Sequence, residues 1–241
     1  MNITDFKIER LLTVNSTNDY LKTLVKQGEC EPIIVIADAQ TKGRGTKNRS
    51  FISQKGGLYL SILLPPCETN LITPMTAVAV SDTVEQISGK TTQIKWVNDV
   101  YLRGKKLSGI LCETVFSPKS NKPYLIVGIG LNLFKPNDDF SDEIKDIAIS
   151  LFETEDIAIK ERFINTLIKN FFKYFNCLSE KCFLEKYRAK NFILEKTVKV
   201  IIGNEKTDAI AVAIDDYCRL IVKFPDGSEK ALNSGEVILK K

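Results

Sequence analysis

No histidine occurs anywhere in the 241 residues, which removes Ser-His-Asp and Cys-His catalysis, histidine general bases and the usual zinc sites at once. Any chemistry has to run on Lys, Arg and carboxylates, with bound nucleotide or metal. Two stretches carry cations in a setting that suits this. In 94–113, apolar Val100, Leu102, Leu107, Ile110 and Leu111 flank Arg103-Gly104-Lys105-Lys106, the pattern of two short strands joined at the glycine. Strict alternation along the second arm predicts Lys106 and Ser108 on one face and Leu107 and Gly109 on the other. Gly109, inside a strand-like run, marks a place where something approaches the backbone closely. The second stretch, 38–51, combines Gly43-Arg44-Gly45 with Lys42, Lys47 and Arg49. Glycines admit a ligand to the backbone and guanidinium groups clamp phosphate or carboxylate oxygens, so this loop reads as an anion site.

Other polar groups fall at the ends of regular elements. Ser16-Thr17-Asn18 precede a helical pattern, Tyr20, Leu21, Leu24 and Val25, that ends at Gly28. The hydroxyls either cap that helix, worth about 1 kcal/mol, or offer themselves with the helix amides to a small polar ligand. Lys95, Asn98 and Asp99 cluster at a strand end beside the single tryptophan, Trp96. Asn132 is the one polar side chain in YLIVGIGLNL, 124–133, and needs a hydrogen-bonding partner there. It either pairs with a loop or reads a nucleobase edge.

The elements that must position these groups are mixed. Strands are expected at 32–37, 57–64, 92–96, in both arms of the hairpin and at 124–133. Helices are expected after Ser16, over 71–87 with Thr69 or Asn70 as cap, along Phe163 to Leu178, and from a cap at Ser179 to Arg188. Past Asn191 the chain changes to short alternating strands with turn signals at Gly203-Asn204 and Asp226-Gly227. Some fifty residues of β structure would be marginal alone and are expected to dock on the rest. The reading is α+β: a mixed β-sheet with flanking helices over 1–190 and a small β domain over 191–241.

Composition bounds the rest. A net charge of +4 with no basic tract gives no support for nucleic acid. No leader-like start and no run of eighteen apolar residues is present, so the expectation is a cytoplasmic protein with no membrane partner. Six cysteines lie far apart without metal-ligand spacing, and reduced, packed thiols are expected.

Assembled in order, the motifs STN at 16–18, Q-x-x-GRG at 40–45, KWVND at 95–99, KKLSGILCE at 105–113, GIGLN at 128–132 and NSGEVIL at 233–239 resemble the biotin protein ligases over nearly the whole chain. The resemblance implies the biotin/lipoate ligase catalytic fold with an SH3-like C-terminal β-barrel. It implies a reaction in which biotin and Mg-ATP give biotinyl-5′-adenylate, and a lysine of a biotin carboxyl carrier domain then takes the biotinyl group. By motif position it assigns Ser16, Thr17, Asn18, Gln40, Arg44, Gly45, Thr46, Lys106 and Gly109 to biotin. It assigns Lys95, Asn98 and Asp99 to the nucleotide and its metal and Asn132 to the adenine, with Lys106 and Arg44 as the catalytic cations. ATP and Mg2+ are the cofactors it implies, with no metal held by protein ligands alone. It also suggests a homodimer joined through sheet edges, and, because STN falls within the first twenty residues, a monofunctional enzyme without a DNA-binding module.

The chain departs from the family's GRGRRGR-x-W loop, reading GRGTKNRSF, and one cation fewer at Thr46 predicts a looser grip on the adenylate. Val97 stands for the proline of KWPND, with little expected from the change. Two other functions compete: a lipoate or octanoate ligase, against which stand the missing arginine-rich glycine-triplet motif and the missing histidine, and a non-catalytic binder of biotin or its adenylate.

Overall fold

The computed structural model describes residues 3–67, 70–202, 205–233 and 236–239. Period-two apolar patterning builds a seven-stranded sheet from β1 (Lys7–Val14), β2 (Ile33–Gln40), β3 (Leu58–Leu64), β4 (Gln93–Lys95), β5 (Asp99–Leu102), β6 (Lys105–Phe116) and β7 (Pro123–Leu131). Their spatial order is β1-β2-β3-β7-β6-β5-β4. Only the β1–β2 pair among them is parallel. Alternate residues of β2, β3 and β7 separate cleanly. Ile34, Ile36, Leu60, Ile62, Val127 and Ile129 enter the main core, whereas Ile33, Val35, Leu63 and Ile126 meet Leu21 and Val25 of α1 (Thr17–Lys26) on the other face.

The main core is closed by α2 (Ile72–Ser88), α3 (Ile157–Phe175) and α4 (Leu184–Lys190). Small residues let α2 bury almost all round, and it stops at Gly89, which adopts the left-handed conformation at φ 68° that ends many helices. Its N-cap position is held by Leu71 without a side-chain cap, not by Asn70; Thr69 lies outside the described residues. Asp156 caps α3 by accepting from Ile159 N at 3.0 Å, which starts that helix six residues before Phe163. Ser179 caps nothing: 176–183 is a run of turns and α4 begins after Phe183. That run brings the Cys177 and Cys182 Cα atoms to 6.1 Å, and the two are joined in a disulfide, which corrects the expectation of six reduced thiols. Cys30, Cys67, Cys112 and Cys218 are free.

Five short strands follow, β8 (Thr197–Ile202), β9 (Glu205–Ile214), β10 (Leu220–Lys223), β11 (Glu229–Leu232) and β12 (Glu236–Leu239). They form an antiparallel sheet in the order β11-β10-β9-β8-β12. No pairing of β11 with β12 closes it into a barrel among the described residues. The expected turn at Gly203-Asn204 lies outside the described residues; the turn at Asp226-Gly227 is present, with Gly227 at φ 85°. Val198, Val200, Ala211, Leu220 and Val222 join the same apolar cluster as α2 and α3. Polar ties reinforce the junction: Trp96 Nε1 donates to Cys218 O at 2.9 Å, and Arg188 Nε to Ile214 O at 2.9 Å.

The hairpin turns at Arg103-Gly104, both at positive φ (51° and 76°), as a two-residue turn matched to strand twist requires. The alternation read beyond it needs correction. Val100 pairs with Ser108 but Tyr101 pairs with Lys106, so Leu107 is an extra residue, a β-bulge. Leu107 and Ser108 are both fully buried, and Lys106 emerges on the face of Gly109.

Candidate active site

On the α1 face the sheet loses its side chains where the first strands run toward the loop 41–52. Ser61 pairs with Gly128 and Tyr59 with Gly130 across β3 and β7, and Gly130 pairs in turn with Gly109 on β6. Three glycines and a serine on neighbouring strands leave a hollow, which the start of α1, the 41–52 loop and residues 143–148 wall into a cavity of about 340 Å³. That size suits a small-molecule ligand.

All nine residues that the resemblance assigns to biotin line it: Ser16, Thr17, Asn18, Gln40, Arg44, Gly45, Thr46, Lys106 and Gly109. Ser16 caps α1, accepting from Asp19 N at 3.4 Å, so the capping role expected of the hydroxyls and the placement at the cavity coincide. Gln40 Oε1 accepts from Thr17 N at 2.8 Å and Thr17 Oγ1 at 3.1 Å, while Gln40 Nε2 donates to Ser53 Oγ at 2.9 Å. Gln40 thereby ties β2 to the helix start.

Lys106 Nζ lies 2.7 Å from Asp99 Oδ1 and 5.7 Å from the centroid of the Phe51 ring. Asp99, at the pairing position opposite Gly109, aims the ammonium, and an anionic ligand group would compete with it for that charge. Of the nucleotide candidates, Asn98 and Asn132 line the cavity, whereas Lys95 and Asp99 do not, Asp99 reaching it through Lys106. Asn98 Nδ2 donates to Ile110 O at 2.9 Å. Asn132 sits just past β7, its N donating to Leu107 O at 3.0 Å and its Nδ2 to Ile149 O at 3.3 Å. Of the two readings left open for Asn132, pairing with a loop is what the hydrogen bonds display.

Arg44 spans the basic loop and α1. Its Nη1 lies 2.7 Å from Asp19 Oδ1 and its Nη2 3.3 Å from Glu113 Oε1, and the hydrogen bond to Asp19 raises the guanidinium pKa above its ordinary value. Burial acts to raise the Asp19 carboxyl, but the hydrogen bonds from Arg44 and Lys22 outweigh it and hold Asp19 below the usual carboxylate range. Asp19 is therefore charged at neutral pH, and the stabilisation it gives is lost only as pH falls through that lowered value.

Several lining residues escaped the sequence reading. Phe51 fills the space over the glycines, with a Cβ built on Gly130 falling 2.7 Å from its ring, and stands edge-on to Tyr59 at 6.4 Å. Its signal was only the departure from a loop tryptophan. Ile144, Ile147 and Ala148 come from a segment that pairs with Lys106 itself: Lys106 N donates to Ile147 O at 2.7 Å and Ile149 N to Lys106 O at 3.0 Å. No local pattern marks such long-range pairing.

Residues 11–132 match the model of the biotin/lipoate A/B protein ligase family. The chain belongs to that family. Residues 193–240 match the biotin protein ligase C terminal domain. The ligase fold is shared with the solved biotin protein ligase from Aquifex aeolicus in complex with biotin and ATP, at a TM-score of 0.77 and 31% identity, covering 98% of this chain and 99% of that one. The biotin--[acetyl-CoA-carboxylase] ligase of Mycobacterium tuberculosis is 25% identical over 246 residues, 96% of this chain and 88% of that protein. The bifunctional ligase/repressor BirA of Bacillus subtilis is 39% identical over 143 residues, 57% of this chain. The chain spans 44% of the length of that repressor and of its Bacillus spizizenii counterpart. Among the described residues no helix of this ligase-family chain is long and apolar enough to cross a membrane.

Proposed function

We propose that the chain is a biotin protein ligase, with residues 1–190 carrying the chemistry and 191–241 assisting nucleotide or carrier contacts. The observation that carries the reading is a single cavity holding hydroxyls and amides at one helix start together with Lys106 and Arg44. The polar groups Ser16, Thr17 and Gln40 suit the ureido head of biotin, and Phe51, seated over Gly109 and Gly130, offers its ring system an apolar wall. A carboxylate oxygen of biotin attacks the α-phosphorus of ATP, the bond from that phosphorus to the bridging oxygen breaks, and pyrophosphate leaves. The amine of a carrier lysine then attacks the carbonyl of the mixed anhydride, and AMP leaves with the bonding electrons while the amine sheds its proton.

Both steps bring negative groups together or build charge on oxygen, so fixed cations and alignment supply most of the acceleration. Lys106 neutralises the carboxylate and the phosphate as they meet, and Asp99 keeps it aimed until they do. Asn98 faces the nucleotide, and Asn132, its Nδ2 already donating to Ile149 O, would meet the adenine through Oδ1. Magnesium would enter with ATP, held mainly by phosphate oxygens and water, and Asp99, beside Lys106, is the carboxylate that would face it. When bound, that ion would neutralise phosphate charge.

The test is biotin-dependent exchange of labelled pyrophosphate into ATP. Wild type is expected to exchange with biotin and not with lipoate, and Lys106→Ala to lose roughly 10²–10³-fold in rate. Exchange with lipoate alone would move the assignment to the lipoate branch of the family; biotin binding without exchange would make the protein a binder.

A further inference from the structure

Glu113, at the far end of the KKLSGILCE stretch, meets three side chains of the site at once. Its Oε2 accepts Asn18 Nδ2 at 2.9 Å, and its Oε1 lies 2.7 Å from Lys22 Nζ and 3.3 Å from Arg44 Nη2. Asn18 is otherwise committed to the protein: Nδ2 also donates to Leu111 O at 3.2 Å, and Oδ1 accepts from Ser61 Oγ at 2.7 Å. Both amide hydrogens and one lone pair of its oxygen are spent on fixing the start of α1 against the sheet. Arg44, in turn, is held to the sheet by Glu113 and to α1 by Asp19. The same carboxylate therefore orients the polar end of the cavity and anchors the basic loop.

We propose that Glu113 is a positioning residue that couples the 41–51 loop, through Arg44, to the Asn18 end of the cavity. The proposal rests on the ligase reading for its kinetic consequence, but the tether itself does not. Glu113 is only partly exposed, at 18%, and a charge there engaged by two cations and an amide is costly to leave half-paired. Replacement by glutamine separates the two functions: it keeps an acceptor for Asn18 and removes the charge that Lys22 and Arg44 share. Alanine removes both.

Glu113→Gln is expected to keep the KM for biotin near wild type and to lower kcat of pyrophosphate exchange about tenfold, because the loop cation is no longer aligned. Glu113→Ala is expected to raise KM as well. In an Arg44→Met background the same Glu113→Gln change should alter kcat by less than about twofold, since the residue it acts through is gone. A loss just as large in that background would overturn the proposal, leaving a merely structural ion cluster. An activity-independent measurement accompanies the kinetics: trypsin cleavage at Lys42, Arg44, Lys47 and Arg49 should quicken in Glu113→Gln with thermal unfolding little changed. Unaltered cleavage would sink the tether even in an active enzyme. A wild type that shows no exchange, while Glu113→Gln still speeds cleavage, would sink the ligase reading and leave the tether standing.

Discussion

Gly128 and Asn18 compete for one volume. A Cβ built on Gly128 falls 2.3 Å from Asn18 Oδ1 and 2.9 Å from its Cγ, and Asn18 cannot step aside because Ser61, Leu111 and Glu113 hold it. Gly128→Ala is therefore expected to push the start of α1 off the sheet, costing about 1–3 kcal/mol by overpacking and weakening ligand binding at least tenfold. Urea unfolding and calorimetric titration with biotin check the two halves. At Gly109 a Cβ meets only the ends of movable side chains, Lys106 Cε at 3.2 Å and the Phe51 ring at 3.3 Å. The motif residues were legible one by one because backbone approach demands glycine and anion binding demands Arg or Lys. Phe51 and Glu113 were not, since their roles depend on neighbours distant in the chain.

Among elements, the hairpin of β5 and β6 was readable from its turn residues and apolar pattern, as were α1, α2 and the buried strands β2, β3 and β7. β1 was missed. It lies at the edge of the sheet, and its residues, KIERLLTV, stay mostly exposed or half-buried, so no apolar face announces it; parallel pairing with β2 makes it a strand. β11 escaped for the same reason, three of its four residues being exposed. The start of α3 escaped because Ile157 is 76% exposed and the buried stripe begins later, while the deciding signal was the cap. Asp156→Ala should lower the unfolding free energy by about 1 kcal/mol and Asp156→Ser much less, as read from the midpoint of urea denaturation at constant slope.

Taken as one object, the molecule has a main core that runs from the large sheet through α2, α3 and α4 into the C-terminal strands. The docking expected of the small β domain is thus apolar, with Trp96 adding a directed hydrogen bond to Cys218 O. Scanning calorimetry should give a single endotherm with matching calorimetric and van't Hoff enthalpies, and Trp96→Phe should lower its midpoint because an orphaned buried carbonyl costs roughly 1–3 kcal/mol of unfolding free energy. Two separate endotherms would contradict the shared core. The sequence pointed to a second unit through its change of strand length and turn spacing, but the polar contacts that join it to the first pair Trp96 with Cys218 and Arg188 with Ile214, and Trp96 lies far from Cys218 in the chain.

The extra residue at Leu107 gives changes of chain length in β6 a direction. Tyr101 and Asp99 lie on one side of β5 and pair with Lys106 and Gly109, so removing Leu107 would straighten the strand and leave the lysine emerging on the same side. Adding one residue between Lys106 and Gly109 would need a second bulge or would turn the lysine into the core. A relative that aligns here with a one-residue gap therefore keeps its cation on the ligand side, and one with an insertion does not unless it bulges further.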